Sequence, residues 1–237
     1  IQAEKMLRDG ASVIDVGGES TRPGAKPVSL QEEMDRVLPI VEKISSSMDV
    51  IISVDTSSAE LMREASRLGA GLLNDVRALQ RPHALEAAAE VKLPVCLMHM
   101  QGEPKDMQNS PSYDQVTDDV YIFLAQRIQQ CNQMGIPNEQ ILVDPGFGFG
   151  KSLEHNYRLL AKLQAFKTLG VPVLVGVSRK SMIGAVLNDR PVEGRLAGSV
   201  AAAVVAAQNG AHIIRAHDVA ETVDAMKVVA AVKEQES

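Results

Sequence analysis

The chain has 237 residues, of which 45% are hydrophobic and 3% aromatic, so it can bury a large core that must be mostly aliphatic. Its net charge of −6 disfavours a dedicated nucleic-acid-binding or membrane-surface protein. Cys96 and Cys131 are too few for a disulfide framework, and we find neither a membrane-spanning apolar run nor a signal-peptide pattern. We therefore expect a cytoplasmic protein with no nucleic-acid or membrane partner.

Short β-branched runs alternate with longer helical stretches along the chain. Most of the short runs are almost continuously apolar, which is typical of parallel strands covered by helices on both faces. The helical stretches show apolar residues at i, i+4 spacing, as at Val116, Val120 and Leu124. In chain order the predicted elements are helix 2–9, strand 13–18, helix 31–47, strand 50–55, helix 58–68, strand 71–75, helix 83–91, strand 94–100, helix 115–134, strand 141–146, helix 155–169, strand 171–178, helix 194–209, strand 211–218 and helix 219–233.

This order of elements predicts an α/β fold of the (β/α)8 TIM-barrel type, which has eight strand–helix pairs in about 250 residues. Eight helices but seven strands are predicted, so in this interpretation the first strand of the barrel is absent from the chain. The alternative is a doubly wound open sheet, which would usually carry a glycine-rich dinucleotide turn after its first strand. Because no shift in composition marks a linker, we expect residues 1–237 to form a single domain.

Three helix starts carry a capping signal. Ser29, Ser57 and Asp218 are each followed three residues later by glutamate, the pattern of a capping box or its acidic analogue. For Asp218 we expect the side chain to serve only as a cap.

The stretch VDPGFGFGKS, residues 143–152, resembles a nucleotide-binding loop but matches neither nucleotide motif. The P-loop pattern requires glycine where this chain has Pro145, and the dinucleotide fingerprint requires glycine where it has Lys151. No HExxH, CxxC or GxSxG motif is present either.

Polar residues follow every predicted strand, at the end where a (β/α)8 barrel has its active site. A single Asp, Asn or Ser at such a position is often a helix cap, but seven polar strand ends would converge on one mouth. We expect His99 to hydrogen-bond to its neighbours, since no second metal ligand lies at a suitable spacing. These strand-end residues are Asp15 with Glu19, Asp55, Asn74, His99, Asp144, Ser178 to Lys180, and Arg215 with His217 and Asp218.

The last two strands supply cations. Arg215 and His217 are two positions apart, so they share a strand face just before a helix N-terminus, where an anion is favoured. Ser178 and Lys180 share a face in the same way, whereas Arg179 faces away and is expected to be structural. Together, Lys180, Arg215 and His217 predict an anion or phosphate site.

The other strand ends are acidic or carry an amide. Asp55, Asn74 and Asp144 suit a flat ligand rich in N–H donors, such as an aminopyrimidine. Two long loops, 17–29 and 99–112, flank this mouth, and their Gly, Pro and Ser content is typical of mobile loops that close over a substrate.

Seven motifs, in this order, resemble those of the dihydropteroate synthase family along essentially the whole chain. They are DVGGESTRPGA, SVDTS, NDVRAL, PVCLMHMQG, DPGFGFGK, GVSRKSMIG and IIRAHDV. The resemblance implies a (β/α)8 barrel that condenses (7,8-dihydropterin-6-yl)methyl diphosphate with 4-aminobenzoate, giving 7,8-dihydropteroate and diphosphate. This reaction belongs to folate biosynthesis and is the target of sulfonamides, and the family is homodimeric.

The resemblance also implies roles for individual residues. Asp55, Asn74 and Asp144 would hold the pterin edge, with Lys180 beside the ring. Arg215 and His217 would bind the diphosphate, and with Lys180 they are the expected catalytic residues. The remaining expected substrate-binding residues are Met98 and Phe149 in the pocket, Thr21, Arg22 and Pro23 in a mobile loop, and Ser181 near the aminobenzoate.

Magnesium on the diphosphate is the expected cofactor. In the family an asparagine from a first strand and loop of the type GILNVTPDSFSDGG helps to bind it, and that segment does not occur in this chain. We therefore expect no metal ligand among these 237 residues.

Three alternatives remain open from the sequence. One is a Schiff-base lyase using Lys180. The second is a pterin-binding methyltransferase with the same barrel, and the third is a pterin-binding module without catalysis.

Overall fold

The computed structural model describes residues 2–21, 24–26 and 28–235. Five strands form one parallel sheet in sequence order, and two further strands form a parallel pair. An isolated parallel bridge between Val143 and Val173 joins the two sets. The strands are β1 Val13–Gly17, β2 Ile51–Asp55, β3 Leu72–Asp75, β4 Val95–Met98, β5 Ile141–Asp144, β6 Leu174–Val175 and β7 Ile213–Ile214.

Helices alternate with these strands. Within the described ranges, none is long and apolar enough to cross a membrane. The α-helices are α1 Gln2–Arg8, α2 Leu30–Ser47, α3 Ala59–Arg67, α4 Ala84–Val91, α5 Val116–Gln133, α6 Leu153–Ala161, α7 Ser181–Val186, α8 Leu196–Gln208 and α9 Val219–Lys233, and short 3₁₀ segments span Asn138–Gln140, Leu163–Leu169 and Val192–Gly194.

The strand series curves round on itself. Arg215, just after β7, donates from Nε to Asp15 of β1 over 2.7 Å, although the two residues are 200 positions apart. No ladder between β7 and β1 occurs in the described part of the chain. Parallel strands in sequence order, with a helix after each, confirm the predicted (β/α)8 barrel class over the open-sheet alternative.

The core is aliphatic, as the composition predicts. All residues of β3 and β4 are buried. Burial on both faces of these strands explains why the sequence reads as continuous apolar runs. Phe147 and Phe166 are the largest of the fully buried side chains in the described structure.

Two helical predictions need correction. The helix predicted over 155–169 is α6 followed by a 3₁₀ segment, because the α-helical hydrogen bonding ends at Lys162. Helix α7, Ser181–Val186, was not predicted. Its six residues are too few to show a helical period, and its apolar run follows directly on a strand.

Two capping predictions are also wrong. The cap of α3 is Ser58, which accepts from the Leu61 N–H, while Ser57 donates to the buried Asp75 carboxylate. The side chain of Asp218 makes no capping bond within the described structure and pairs instead with Arg179. A guanidinium offers charge-assisted hydrogen bonds, which are stronger than a bond from a neutral N–H group. Ser29 does cap α2, as predicted.

Candidate active site

Asp55, Asn74 and Asp144 lie at or near the C-terminal ends of strands β2, β3 and β5. We call these three residues the acid floor. Asp55 pairs in register with Asn74, and Asn74 pairs with Cys96 of β4, which lies next to β5. Asn74 and Asp144 are each 7% exposed. The parallel sheet therefore brings together the three residues that the sequence assigned to the pterin edge.

The acid floor has unused hydrogen-bonding capacity. The Asp144 carboxylate accepts one bond, from the Gly146 N–H at 2.7 Å. No hydrogen bond from a described residue reaches the Asp55 carboxylate or the Asn74 side-chain amide. Among the described side chains, Thr117 Oγ1 is the only buried polar atom without a partner, so the free atoms of the floor are open to the mouth, where N–H donors of a ligand can reach them.

Burial changes the acidity of the floor. It raises the pKa of Asp55 to about 8, with a further rise from nearby Asp15, while Arg215 acts in the opposite direction. Burial also raises the pKa of Asp144, and the cation of Lys180 opposes that rise. Ionised Asp55 and Asp144 are therefore poorly stabilised without further donors.

Lys180 lies beside the floor, at the start of α7. Its Nζ donates to the carbonyl of Phe147 and stands 4.8 Å from the centre of the Phe149 ring. Burial lowers the pKa of Lys180 to about 8, and Asp144 opposes that shift. The sequence-predicted Lys180 thus lies over the ring of Phe149, and its charge acts on Asp144.

Arg215 lies beside Asp15 and Asp55 at the C-terminal ends of the strands. Besides the bond to Asp15, one of its terminal nitrogens is 3.8 Å from Asp55, and its side chain is half exposed. Asp15 also accepts from Ser53 at 2.6 Å, which fixes the carboxylate. Sequence reasoning placed Asp15 at a strand end without a role, because nothing local indicates a partner 200 residues away.

His217 is oriented by Ser178. The Ser178 hydroxyl accepts from the backbone N–H of His217 at 3.1 Å and lies 3.0 Å from its Nδ1. Arg179 points away to Asp218, as expected of a structural residue. Ser181 is the first residue of α7 and is exposed.

The other predicted residues are placed as follows. Met98 is buried in β4, in register with Asp144 of β5. Thr21 is partly buried in the loop after β1. Arg22 and Pro23 lie outside the described residues. His99 bonds to a neighbour, as predicted: its Nδ1 is 2.9 Å from Nζ of Lys151.

The two long loops contact each other beside the mouth. The Gly24 N–H donates to the carbonyl of Pro104 at 3.1 Å. Buried Arg77, after β3, pairs with Glu19 of one loop at 3.1 Å and with Glu103 of the other at 3.2 Å. One arginine therefore bridges both loops.

This combination defines a class of protein. A parallel barrel with buried, underused carboxylates and an amide at its strand ends, and with lysine and arginine beside them, is an enzyme scaffold. Its mouth suits a small ligand that carries both N–H donors and negative charge.

Comparison with known proteins narrows the class. The family model for pterin binding enzymes matches residues 1–217. The dihydropteroate synthase of Escherichia coli is 58% identical over 229 residues, which are 97% of this chain and 81% of the relative. That of Haemophilus influenzae is 56% identical, over 96% of this chain and 82% of the relative.

Solved structures agree. A Yersinia pestis dihydropteroate synthase with a sulfonamide drug complex superposes with a TM-score of 0.96 at 55% identity, covering 98% of this chain and 84% of the other. A Xanthomonas albilineans dihydropteroate synthase with 4-aminobenzoic acid gives a TM-score of 0.93 at 47% identity, with coverages of 98% and 83%. The chain belongs to the pterin-binding enzyme family, among its dihydropteroate synthases, which are transferases of folate biosynthesis.

Proposed function

We propose that the acid floor binds the pterin edge in the condensation of (7,8-dihydropterin-6-yl)methyl diphosphate with 4-aminobenzoate. The observation that carries the proposal is the unfilled hydrogen-bonding capacity of Asp55, Asn74 and Asp144. A pterin offers a row of N–H donors on one edge, which suits two carboxylates and an amide oxygen. Met98 and Phe149 line the pocket, and Lys180 lies beside the ring.

Arg215 and His217 then bind the diphosphate. Only one side of the Arg215 guanidinium is engaged by Asp15, so N–H groups remain for an anion. Both residues immediately precede α9, whose N-terminal N–H groups and dipole also favour negative charge. As the C–O bond breaks, the diphosphate leaves with the electron pair, and these donors stabilise its developing charge.

The electron-rich dihydropterin supports the positive charge left on its methylene carbon. The neutral amine of 4-aminobenzoate attacks that carbon, forms the C–N bond and then loses a proton to solvent. No protein nucleophile is required. Following the family resemblance, we assign Ser181 with Lys180 to the aminobenzoate side, and Thr21, Arg22 and Pro23 to a mobile loop.

We propose that Mg²⁺ enters with the diphosphate. Within the described ranges, no group of three or more His, Cys, Asp or Glu side chains could hold a metal ion. Mg²⁺ commonly uses one or two protein oxygens together with substrate phosphates, which fits an ion carried by the diphosphate.

A homodimer and a cytoplasmic location are further proposals. Helices α8 and α9 expose Val205, Val228 and Val232, and the last two line a groove between the helices. An apolar patch of this kind favours a protein partner. Cys96 and Cys131 are free thiols, as is usual in a reducing compartment.

An assay of the purified full-length protein with both substrates tests the reaction. We expect dihydropteroate and diphosphate in equal amounts, and inhibition by sulfonamides that competes with 4-aminobenzoate. Pterin binding without diphosphate release would indicate a non-catalytic module. Borohydride trapping of substrate on Lys180 would indicate Schiff-base chemistry.

A further inference from the structure

Lys151, the lysine of the VDPGFGFGKS stretch, is buried behind the pterin pocket. Its side chain is 3% exposed, and its Nζ contacts the carbonyl oxygens of Gly146 at 2.9 Å and Phe149 at 3.0 Å. The remaining contacts are Nδ1 of His99 at 2.9 Å and the His99 carbonyl oxygen at 3.4 Å. We call this group, Lys151 with His99, Gly146 and Phe149, the lysine cradle. No ion pair to Lys151 occurs among the described residues.

Lys151 Nζ therefore lies within hydrogen-bonding reach of three carbonyl oxygens and one ring nitrogen. Burial and the charge of Lys151 lower the pKa of His99 to about 2, so its imidazole is neutral. Burial lowers the pKa of Lys151 as well, while Asp144 opposes that shift. With a neutral imidazole, Nδ1 accepts from an ammonium or donates to a neutral amine, and in both forms two N–H groups of Lys151 remain for the carbonyls of Gly146 and Phe149.

The cradle joins the loop after β5 to the end of β4. The two backbones are in such close contact that a Cβ on Gly146 would lie 1.9 Å from the His99 carbonyl oxygen, and one on Gly150 would lie 2.3 Å from that of Gln101. Both glycines also have positive φ values, +73° and +61°. The loop can therefore occupy only a narrow range of positions against β4.

That loop carries two residues of the pocket at its ends. Asp144 precedes it and is bonded to Gly146, whose carbonyl binds Lys151. Phe149 follows, and its own carbonyl binds Lys151 as well. From the pocket side Lys180 donates to Phe147, so the loop is held by one lysine on each side.

We propose that Lys151 is a positioning residue for the pterin site. Its Nζ fixes the loop 145–150 against His99 and so sets Asp144 and Phe149 at the separation that the pterin requires. The inference rests on the proposed pterin-binding role of the acid floor. Lys151 itself does not touch the substrate.

The test compares Lys151→Met with Ser152→Ala in the full-length protein. Ser152 caps α6 by accepting from the His155 N–H, so its loss costs about 1 kcal/mol of stability without removing a bond to the loop carbonyls. Loss of a group that orients a ligand-binding residue costs about tenfold to a hundredfold in affinity at metal sites. We expect a similar loss of affinity for 6-hydroxymethylpterin in Lys151→Met, measured by calorimetry, and near-native affinity in Ser152→Ala.

Steady-state kinetics supply a second measurement. Lys151→Met should raise the KM for the pterin diphosphate far more than the KM for 4-aminobenzoate, and a general loss of structure would not separate the two. Unchanged pterin affinity in a folded Lys151→Met protein overturns the proposal. Failure of the wild-type protein to bind the pterin overturns the proposed function instead.

Two further experiments apply if Lys151→Met does not fold. Lys151→Gln retains two N–H donors for the loop carbonyls, and we expect it to recover part of the pterin affinity. In the wild-type protein, the ¹⁵N chemical shift of Lys151 Nζ should change when the pterin binds. Native pterin affinity in Lys151→Gln, or a signal that the pterin leaves unchanged, overturns the proposal.

Discussion

The acid floor and the lysine cradle are both buried and polar, but they differ in how fully their hydrogen-bonding groups are used. In the cradle, Lys151 Nζ is surrounded by three carbonyl oxygens and Nδ1 of His99. In the floor, the Asp144 carboxylate accepts one bond, and the side chains of Asp55 and Asn74 accept none from the described residues. A buried polar group whose bonds are complete stabilises the fold, whereas one with incomplete bonds is available to a ligand.

The largest expected effect comes from removing Arg215, the cation beside the acid floor. Arg215→Ala should slow diphosphate release about a hundredfold to a thousandfold, because loss of one transition-state donor costs about 2.7–4 kcal/mol. Binding of a pterin without diphosphate should weaken far less, because Arg215 affects it only by opposing the raised pKa of Asp55. Rapid-quench kinetics and calorimetry measure the two properties.

Arg179→Ala is the matched control, because that arginine is bonded to Asp218 and faces away from the floor. We expect it to retain near-native turnover. If Arg215→Ala lost binding of the pterin without diphosphate but kept normal turnover, Arg215 would have to be assigned to the pterin ring and not to the diphosphate.

The second effect compares two buried aspartates. Asp144→Asn replaces a charged acceptor with a group that also presents an amide donor to the ligand, and charge-assisted hydrogen bonds contribute about 1.5–3 kcal/mol. We expect about tenfold to a hundredfold weaker pterin binding by calorimetry.

Asp75→Asn is the counterpart with completed bonds. Asp75 already accepts from the Ser57 hydroxyl and from the N–H groups of Arg77 and Leu79. This substitution should lower the melting temperature and leave pterin affinity close to native. Equal losses of affinity in Asp75→Asn and Asp144→Asn would remove the distinction between the two kinds of buried carboxylate.

The smallest effect is a pH dependence. The pKa of Asp55 is raised to about 8, so in the free protein about a tenth of this carboxylate is ionised at pH 7. N–H donors of the pterin require the ionised form, so affinity should rise with pH and level off above about pH 9. The affinity at pH 7 should be about tenfold below the plateau.

Asp55→Asn separates this titration from that of the pterin itself. In that variant the pH dependence between pH 6 and pH 8 should disappear, apart from any contribution of the ligand. A native-like slope in Asp55→Asn would show that a group other than Asp55 carries the proton.

The sequence alone determined the order of the seven strands, the order of the helices other than α7, and the class of the fold. Hydrophobic periodicity is a local signal, and strands buried on both faces appear in the sequence as apolar runs. Because parallel strands in a barrel end at the same face, Asp55, Asn74 and Asp144 could be grouped before any contact was known. The two-residue spacing of Arg215 and His217 was equally local.

Only the tertiary structure decided which of these polar groups have their bonds completed. The partner of Arg215 is 200 residues away, the partner of Asp218 is Arg179 on another strand end, and Lys151 turns back beneath its own loop. A hydrogen bond depends on the distance and direction between two atoms, and side-chain type and spacing along the chain do not specify these for residues brought together by the barrel. For that reason the same sequence stretch, VDPGFGFGKS, could be excluded as a phosphate loop from its residues, while the place of its lysine behind the pocket required the folded chain.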